Sequence, residues 1–410
     1  MNILVLNCGS SSVKFQLIET SPEQMAARTD RRLARGSVER IGEPEPQLTA
    51  RLGANPPENR LVKAQNHGAA LDAAFEWMRA RGALKNTDEI QGVGHRIVHG
   101  GEYFSRSVVI DNAALLRIRA CNDLAPLHNP RNLEGYSAAR ERLPEAVHVA
   151  VFDTAFHQTL PPHAYLYGLP WAWYEGAHIR RYGFHGTSHR YLMNRFCALR
   201  RSSAGSLKLV TCHLGNGCSV CAIKHGKSID TSMGFTPLEG LLMGTRAGDL
   251  GAGAVLYILQ LFSMSPQDAE KILNQKSGLL ALSGVSEDMR EVLKAAGEGN
   301  SRAKTAVDVF CYRVARYIGA YFVALGGADA LIFAGGIGEN ASEIRSRICR
   351  QISALGASLE EGKNSAAKGV EMEISRPDSR MSVWVIPTDE ELLIAHDTLQ
   401  CIAERPGSQS

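Results

Sequence analysis

The sequence predicts an α/β protein of two related domains, and three observations carry that reading. The first is the stretch Ile3 to Ile18. An apolar run, Ile3-Leu4-Val5-Leu6, ends in Asn7-Cys8-Gly9-Ser10-Ser11-Ser12, and a second run alternates Val13, Phe15 and Leu17 against Lys14 and Gln16. That is the pattern of a β-hairpin with a glycine- and hydroxyl-rich turn. The second is an echo from Leu207 to Ile223: apolar strand, polar residue (His213 for Asn7), glycine turn, Ser-Val, returning strand. Its turn reads one residue longer. The third is length, since 410 residues exceed one typical core. Small turn residues let backbone N–H groups converge on an anion. Two such loops suggest a duplicated domain with a phosphate chain held between the halves.

Composition narrows the classes. Hydrophobic residues are 44% and charged residues 21%, as in soluble globular proteins. A net charge of +3, without a basic block, argues against nucleic-acid binding. No apolar stretch reaches the roughly 18 residues needed to span a bilayer, and no charged n-region opens the chain. A cytoplasmic protein is expected. The nine cysteines fit reduced thiols rather than a disulfide framework. Cys218 and Cys221 form a lone CxxC, but positions three apart on a strand face opposite sides, so a zinc site is disfavoured.

Taken in order, residues 31–52 read as strands broken at Gly42 and Pro44, and 53–60 as a loop. Ala69 to Arg81 is helical, with Leu71, Phe75 and Met78 at helical spacing. Ile90 to Val98 is a strand running into His99-Gly100-Gly101. It carries Arg96, which reads either as one half of a structural ion pair or as a bidentate clamp for a carboxylate or phosphate; the flanking glycines favour the clamp. Asp111 to Cys121 is a helix, Asp123 to Pro130 a loop bounded by prolines, and Arg131 to Arg142 a helix. Ala146 to Phe152 is a buried strand with Asp153 at its C-terminal end, where α/β sheets bind ligands. A packed loop, 159–178, follows.

His185 and His189 are four apart, but Gly186 stands between them and the HExxH carboxylate is absent, so metal binding is disfavoured. Thr187 or Ser188 is expected to cap a helix to Arg200, with His185 facing whatever the helix N-terminus binds. The irregular stretch 230–249 holds a second anion-clamp candidate, Arg246. Residues 252–296 read as several helices and Ser301 to Leu325 as one long helix with an apolar face. Ala330 to Ala334 is a buried strand leading into Gly335-Gly336-Ile337-Gly338-Glu339-Asn340 and a helix from about Ser342. This last turn satisfies a relaxed dinucleotide fingerprint, so a dehydrogenase is a live alternative. It would leave both hairpin loops unexplained, whereas a nucleoside on this turn with phosphates reaching the hairpins explains all three. A P-loop is excluded, because the glycine leading Gly226-Lys227-Ser228 would have to stand at Cys221. A strand, Ser382 to Ile386, precedes Asp389-Glu390-Glu391, carboxylates suited to a hard cation. A helix from Leu392 to Ala403 and a fraying end, 404–410, complete the chain.

The stretches NCGSSSVKF, GHRIVHGG, APLHNP, FDTAFHQ, YGFHGTSH, HLGNGCS, TSMGFTPLEGLLMGTR, GGIGEN and PTDEE, in this order, resemble the acetokinase (acetate kinase) family of the sugar kinase/Hsp70/actin superfold. The resemblance implies two actin/ribonuclease H-like α/β domains around a central cleft. These are residues 1–154 and 155–389, with a helix at about 390–405 packing back on the first. It implies Mg²⁺-dependent phosphoryl transfer from ATP to acetate, giving ADP and acetyl phosphate, by a cytoplasmic homodimer with no nucleic-acid or membrane partner; Mn²⁺ is a possible substitute metal. It assigns Asn7 and Glu390 to the metal. Lys14 and the loop His213, Leu214, Gly215, Asn216 and Gly217 would hold ATP phosphates. Asp288, Met289 and Arg290, with Gly336, Ile337, Gly338, Glu339 and Asn340, would hold the nucleoside. Arg96 would bind the carboxylate, and Val98, Leu127, Phe184 and Pro237 the methyl group. Asp153 takes the family's acid/base role, and His185 and Arg246 its transition-state contacts.

Two departures stand out. Asp389 replaces the usual Asn, and Leu250-Gly251-Ala252 replaces Ile-Asp-Pro. A carboxylate substrate is already an anion near pH 7, so Asp153 is expected to orient the metal or its water rather than to act as a base. Propionate kinases share these motifs; the bulk of Val98 favours acetate. A non-catalytic nucleotide-binding switch is the remaining alternative. Retention of Arg96, Asp153, His185 and Arg246 together argues against it.

Overall fold

Alternation in the first hairpin does what the pattern requires. Strands β1 (Asn2–Cys8) and β2 (Ser12–Glu19) pair antiparallel. Leu4 and Leu6 point to one face of β1, and Ile3 and Val5 to the other. The computed structural model describes residues 1–405. The expected fraying beyond residue 405 lies outside the described residues.

The chain divides into two compact units, Met1–Ala155 with the chain from Asp389 onward, and Phe156–Thr388. The first contains β1, β2, β3 (Arg31–Glu39), β4 (Gln47–Leu52), β5 (Glu58–Leu61), β6 (Ile90–Ile97), β7 (Val108–Val109) and β8 (Val147–Phe152). They form one sheet in the order β5-β4-β3-β2-β1-β6-β8-β7. From β5 to β1 it is an antiparallel meander; β6 and β8 then run parallel to β1. One face buries Leu71, Phe75, Trp77 and Met78 of the His67–Ala80 helix against Leu4, Leu6, Phe15 and Leu17. The other packs Ile394 and Ala395 of the Glu390–Ala403 helix on Ile3, Val5, Val149 and Val151. That helix lies close on β6 because Gly92 and Gly94 present bare backbone. A Cβ on Gly94 would stand 2.5 Å from Ile394 Cγ2 and from Thr398 Oγ1.

The second unit repeats the scheme. Its strands are β9 (Lys208–Leu214), β10 (Cys218–Lys224), β11 (Lys227–Thr231), β12 (Ala330–Ala334), β13 (Met372–Glu373) and β14 (Ser382–Val385), in the order β11-β10-β9-β12-β14-β13. Here β11-β10-β9 is the meander, and β12 and β14 run parallel to β9. So β9 and β10 answer to β1 and β2, and β12 and β14 to β6 and β8. This is the duplicated mixed α/β architecture expected. The Gly186–Arg200 helix packs Leu192, Met193 and Phe196 against Leu209, Ile332 and Trp384. The Ser301–Leu325 helix buries Val307, Phe310, Val314, Ile318 and Leu325.

Several local expectations are corrected. The first hairpin, closed by Cys8↔Val13, encloses one residue more than the second, closed by Leu214↔Cys218, and not the reverse. Residues 58–61 are an edge strand held by β4, within a stretch expected as loop. The stretch 159–178 contains two short helices, Pro162–Tyr165 and Trp171–Ala177. Gly335–Asn340 is a helical turn rather than an open one. No helix among the described residues is long and apolar enough to cross a membrane.

Candidate active site

In the first unit, the chemistry gathers at the C-terminal ends of the parallel strands. Asn7 closes β1, and its cross-strand neighbour on β2 is Lys14, which is exposed. Arg96 stands near the end of β6. Asp153 follows β8, only 1% exposed, with its backbone N–H donating to the Ile97 carbonyl at 3.1 Å. Arg96 Nε donates to Asp153 Oδ1 at 3.0 Å and Nη2 to Oδ2 at 2.5 Å; Nη1 reaches Asn7 Oδ1 at 3.3 Å. The ion-pair reading of Arg96 is therefore part of the geometry. One edge of the guanidinium grips Asp153, and the Nη1 side is turned toward Asn7. Burial opposes the Arg96 charge, but Asp153 and Glu390 outweigh it and hold the guanidinium above its ordinary range.

Glu390 opens the last helix. Burial, and then repulsion from Asp153 and Glu391, push its carboxyl up to about 7 against the pull of Arg96 and Lys14. Three carboxylates thus share two cations, a donor set that fits an added hard cation with oxygen ligands. Among the described residues no group of three or more His, Cys, Asp or Glu could hold a metal by itself. The fit therefore includes the Asn7 amide. The extra charge of Asp389 is drawn aside, since its carboxylate pairs with Arg32 and also caps Leu392 N.

Two buried asparagines on the Asn129–Arg142 helix fix the strand ends. Asn132 accepts from Val98 N at 3.0 Å and donates to the Cys8 carbonyl at 2.8 Å. Asn129 accepts from His99 N and donates to His99 O. The sequence reading missed both. The local signal was APLHNP, which contains Asn129 and ends two residues before Asn132. Val98 is 7% exposed, whereas Leu127 is 60% exposed.

The second unit gathers its groups around β9 and β10. His185 is the N-cap residue of the Gly186–Arg200 helix, at φ 57°, a left-handed conformation that non-glycine residues seldom adopt. Thr187 and Ser188 lie inside the helix rather than capping it. His185 Nδ1 meets Ser219 Oγ at 2.9 Å, and so does His189 Nε2 at 2.8 Å, so the two histidines share a serine. The His185 ring lies against that of His213 at a tilt of 33°, centroids 4.3 Å apart. A Cβ on Gly217 would lie 3.4 Å from His185 Nε2 and 3.6 Å from Arg246 Nη1, so imidazole and guanidinium flank the same backbone. Asn216 and Gly215 complete this loop, and the Asn216 carbonyl accepts from Gly244 N. Leu214 is buried beneath it.

Gly335 has φ +74° and sits so close to Leu214 that a Cβ would fall 2.7 Å from its carbonyl carbon. The glycine turn is thereby seated on the β9 loop. Gly336 is exposed, with open space above it. Asn340 Nδ2 caps the Gly336 carbonyl at 3.0 Å. Ile337 and Gly338 lie in the same helical turn. Glu339 accepts from Gly335 N and Thr388 N instead of facing outward. The fully buried Arg345 holds the turn from below, donating to the carbonyls of Gly338, Asn364 and Ala367 and to Asn364 Oδ1. Asp288 caps the Met289–Gly297 helix by accepting from Arg290 N and is gripped by the Arg290 side chain; Met289 is buried. Phe184 is buried and Pro237 half-buried.

Comparison with known proteins agrees over the full length. The acetokinase family matches residues 2–396. Acetate kinase of Solibacter usitatus is 48% identical over 412 residues, covering 99% of each chain. That of Carboxydothermus hydrogenoformans is 48% identical over 410 residues, covering 99% of this chain and 100% of its own. The crystal structure of Porphyromonas gingivalis acetate kinase matches with a TM-score of 0.93 at 41% identity, covering 98% and 99% of the two chains. A propionate kinase from Francisella tularensis matches with a TM-score of 0.89 at 40% identity, covering 97% and 99%. The chain belongs to the acetokinase family.

Proposed function

We propose that the chain catalyses reversible transfer of the γ-phosphoryl group of ATP to acetate, giving acetyl phosphate and ADP by direct in-line displacement. The observation that carries this is the Arg96–Asp153–Asn7–Glu390 cluster at the strand ends of a chain nearly half identical to curated acetate kinases. Mere nucleotide binding does not call for a guanidinium and two carboxylates in one place.

Phosphoryl transfer needs positioning and charge neutralisation more than covalent help. Arg96 holds the acceptor carboxylate on the edge that Asp153 leaves open. Val98, Leu127, Phe184 and Pro237 supply the apolar contacts for the methyl group. Lys14 and the 213–217 loop hold the phosphates. The exposed helical turn at Gly336, with Asp288 to Arg290, takes the nucleoside. Arg246 and His185 supply donors for the equatorial oxygens as charge spreads over them. Asn7 and Glu390, with Asp153 behind them, would hold Mg²⁺, which screens the phosphate charge when bound. Mn²⁺ is a proposed substitute.

The partner is a second copy of the chain. The Ala252–Leu261 helix supports this, because Leu256, Tyr257 and Leu261 on it, with Phe262 beyond, are more than half exposed. Nine free cysteines support a reducing compartment, the cytoplasm. The Francisella neighbour favours propionate as a second, poorer substrate.

The test is to incubate the purified chain with Mg-ATP, acetate and hydroxylamine. Acetyl hydroxamate is expected. If no short acid gave hydroxamate while ATP still bound, the chain would be a nucleotide switch instead.

A further inference from the structure

Each ring of the neighbouring pair His185 and His213 rests its Nδ1 on a serine hydroxyl: His185 on Ser219 at 2.9 Å, His213 on Ser188 at 2.8 Å. Neither serine is the end of its chain. Ser219 Oγ is 2.8 Å from His189 Nε2, and His189 Nδ1 is 2.7 Å from Thr211 Oγ1. Ser188 Oγ is 2.8 Å from Thr388 Oγ1. Ser219, His189 and Thr211 are wholly buried.

The direction of the first chain follows from counting protons. A hydroxyl has one proton to give and two lone pairs. Burying an O–H with no acceptor costs more than leaving a lone pair idle. Thr211 Oγ1 is bonded to His189 Nδ1 and nothing else, so it donates there. His189 is neutral, its burial holding it well below the ordinary histidine range. With Nδ1 accepting, its proton sits on Nε2 and goes to Ser219 Oγ. The Ser219 proton is then left for His185 Nδ1. The second chain takes no direction from this count, because Thr388 is only half-buried and its hydroxyl is not confined to Ser188.

We propose that Thr211, His189 and Ser219 form a one-way hydrogen-bond chain that fixes His185 as a neutral imidazole with its proton on Nε2, the ring edge beside Gly217 and Arg246. His185 then meets the transferring phosphoryl group as a neutral donor and not as an imidazolium. Ser219, His189 and Thr211 are positioning residues for it. The groups facing His185 agree with a neutral ring. Arg246 Nη1 lies on the same side of Gly217. His213 lies tilted against it, and neutral His189 stands behind Ser219. His157, neutral and buried, brings Nε2 within 3.0 Å of the Phe184 carbonyl and steadies the backbone just before His185.

The catalytic consequence rests on the kinase reading above, but the proton position does not, and it can be read without turnover. The test is long-range proton–nitrogen correlation NMR on the full chain carrying nitrogen-15 histidine, from about pH 5.5 to 8. Loss of its signals in His185→Gln assigns the ring. The expected result is Nε2 protonated and Nδ1 unprotonated throughout. A proton on Nδ1, or a ring that charges with a midpoint near about 6.5, overturns the proposal whether or not the chain turns over acetate. Thr211→Val keeps the shape and removes the donor at the head of the chain. It should lower kcat about tenfold, leave the KM values for ATP and acetate in place, and introduce an acid limb in the kcat–pH profile. Ser219→Ala should do the same, and Ser219→Thr should restore much of the loss. An unchanged kcat and pH profile in Thr211→Val would also overturn it.

Discussion

Arg96 and Asp153, 57 residues apart in sequence, meet edge to edge, two guanidinium nitrogens on two carboxylate oxygens. The pair brings together a group read as an anion clamp and a group read as catalytic. Each sets the other's charge and direction. Arg96→Ala strips a buried carboxylate of its partner and should destabilise the first unit by about 3 kcal/mol, measurable in urea. Arg96→Lys keeps the charge but loses the fork, and should raise the KM for acetate far more than that for ATP.

Asp153→Asn keeps the shape and removes the charge. If Asp153 serves the metal, kcat should fall and the Mg²⁺ requirement should rise. A fall in kcat at unchanged Mg²⁺ dependence would place Asp153 on the acceptor side instead. A magnesium titration of the variant's rate separates the two.

Substrate length turns on Val98, which is packed to 7% exposure and tied by its N–H to Asn132. One methylene in an apolar pocket is worth about 1–3 kcal/mol. Propionate should therefore show a kcat/KM roughly tenfold or more below acetate, and Val98→Ala should narrow the gap. A propionate kcat/KM equal to that for acetate in the unaltered chain would refute the acetate assignment.

Acid should unfold this protein early. His95, His99, His148, His157 and His189 are buried, and burial holds His99 down to about 3, His148 and His157 to about 4, and the other two well below normal. In each case the folded pKa is depressed, so the unfolded chain binds more protons below about 6.5. The stability contributed by each neutral ring is complete above that pH and is lost as pH falls toward the folded value. Each ring costs about 2 kcal/mol between pH 7 and pH 5. Urea midpoints taken from pH 8 to 5 should fall steeply below about 6.5. Flat midpoints would mean that the rings take up protons in the fold as readily as in the unfolded chain.

Arg345 has no carboxylate partner in its hydrogen bonding; it spends its donors on carbonyls and an amide around the Gly335–Asn340 turn. Burial alone pulls it down to about 10. Arg345→Met leaves those oxygens unsatisfied and should cost about 3 kcal/mol. It should also raise the KM for ATP while sparing that for acetate, as steady-state kinetics would show.

The parts legible in the sequence were those whose pattern is local. Both hairpins follow from two-residue alternation around small turns, and the Ser301–Leu325 helix from its apolar stripe. The duplicated sheets followed from the echo between Asn7 and His213. The helical turn at Gly335–Asn340 was hidden because its glycines argue against helix; it exists because Gly335 fits against Leu214 and Arg345 grips Gly338. Cap chemistry at Thr187 and Ser188 pointed too far along the chain, because His185 itself takes the left-handed capping conformation. Asn129 and Ser219 lie inside APLHNP and HLGNGCS, but the motifs alone do not say what their side chains hold, and Asn132 lies in none of the quoted stretches. Their roles depend on partners tens of residues away, which single-sequence spacing does not encode.

The bare backbone of β6 has one more consequence. The last helix approaches it only because Gly92 and Gly94 lack side chains, and that helix carries Glu390 at its start while the same strand carries Arg96. The gap across which carboxylate and guanidinium face each other is therefore set by two missing side chains, the nearer of them, at Gly94, two residues before Arg96 on the same strand. A single methyl group at Gly94 would act as a shim under the helix, widening that gap without touching a ligand, and the binding constant for the cation would register the lift.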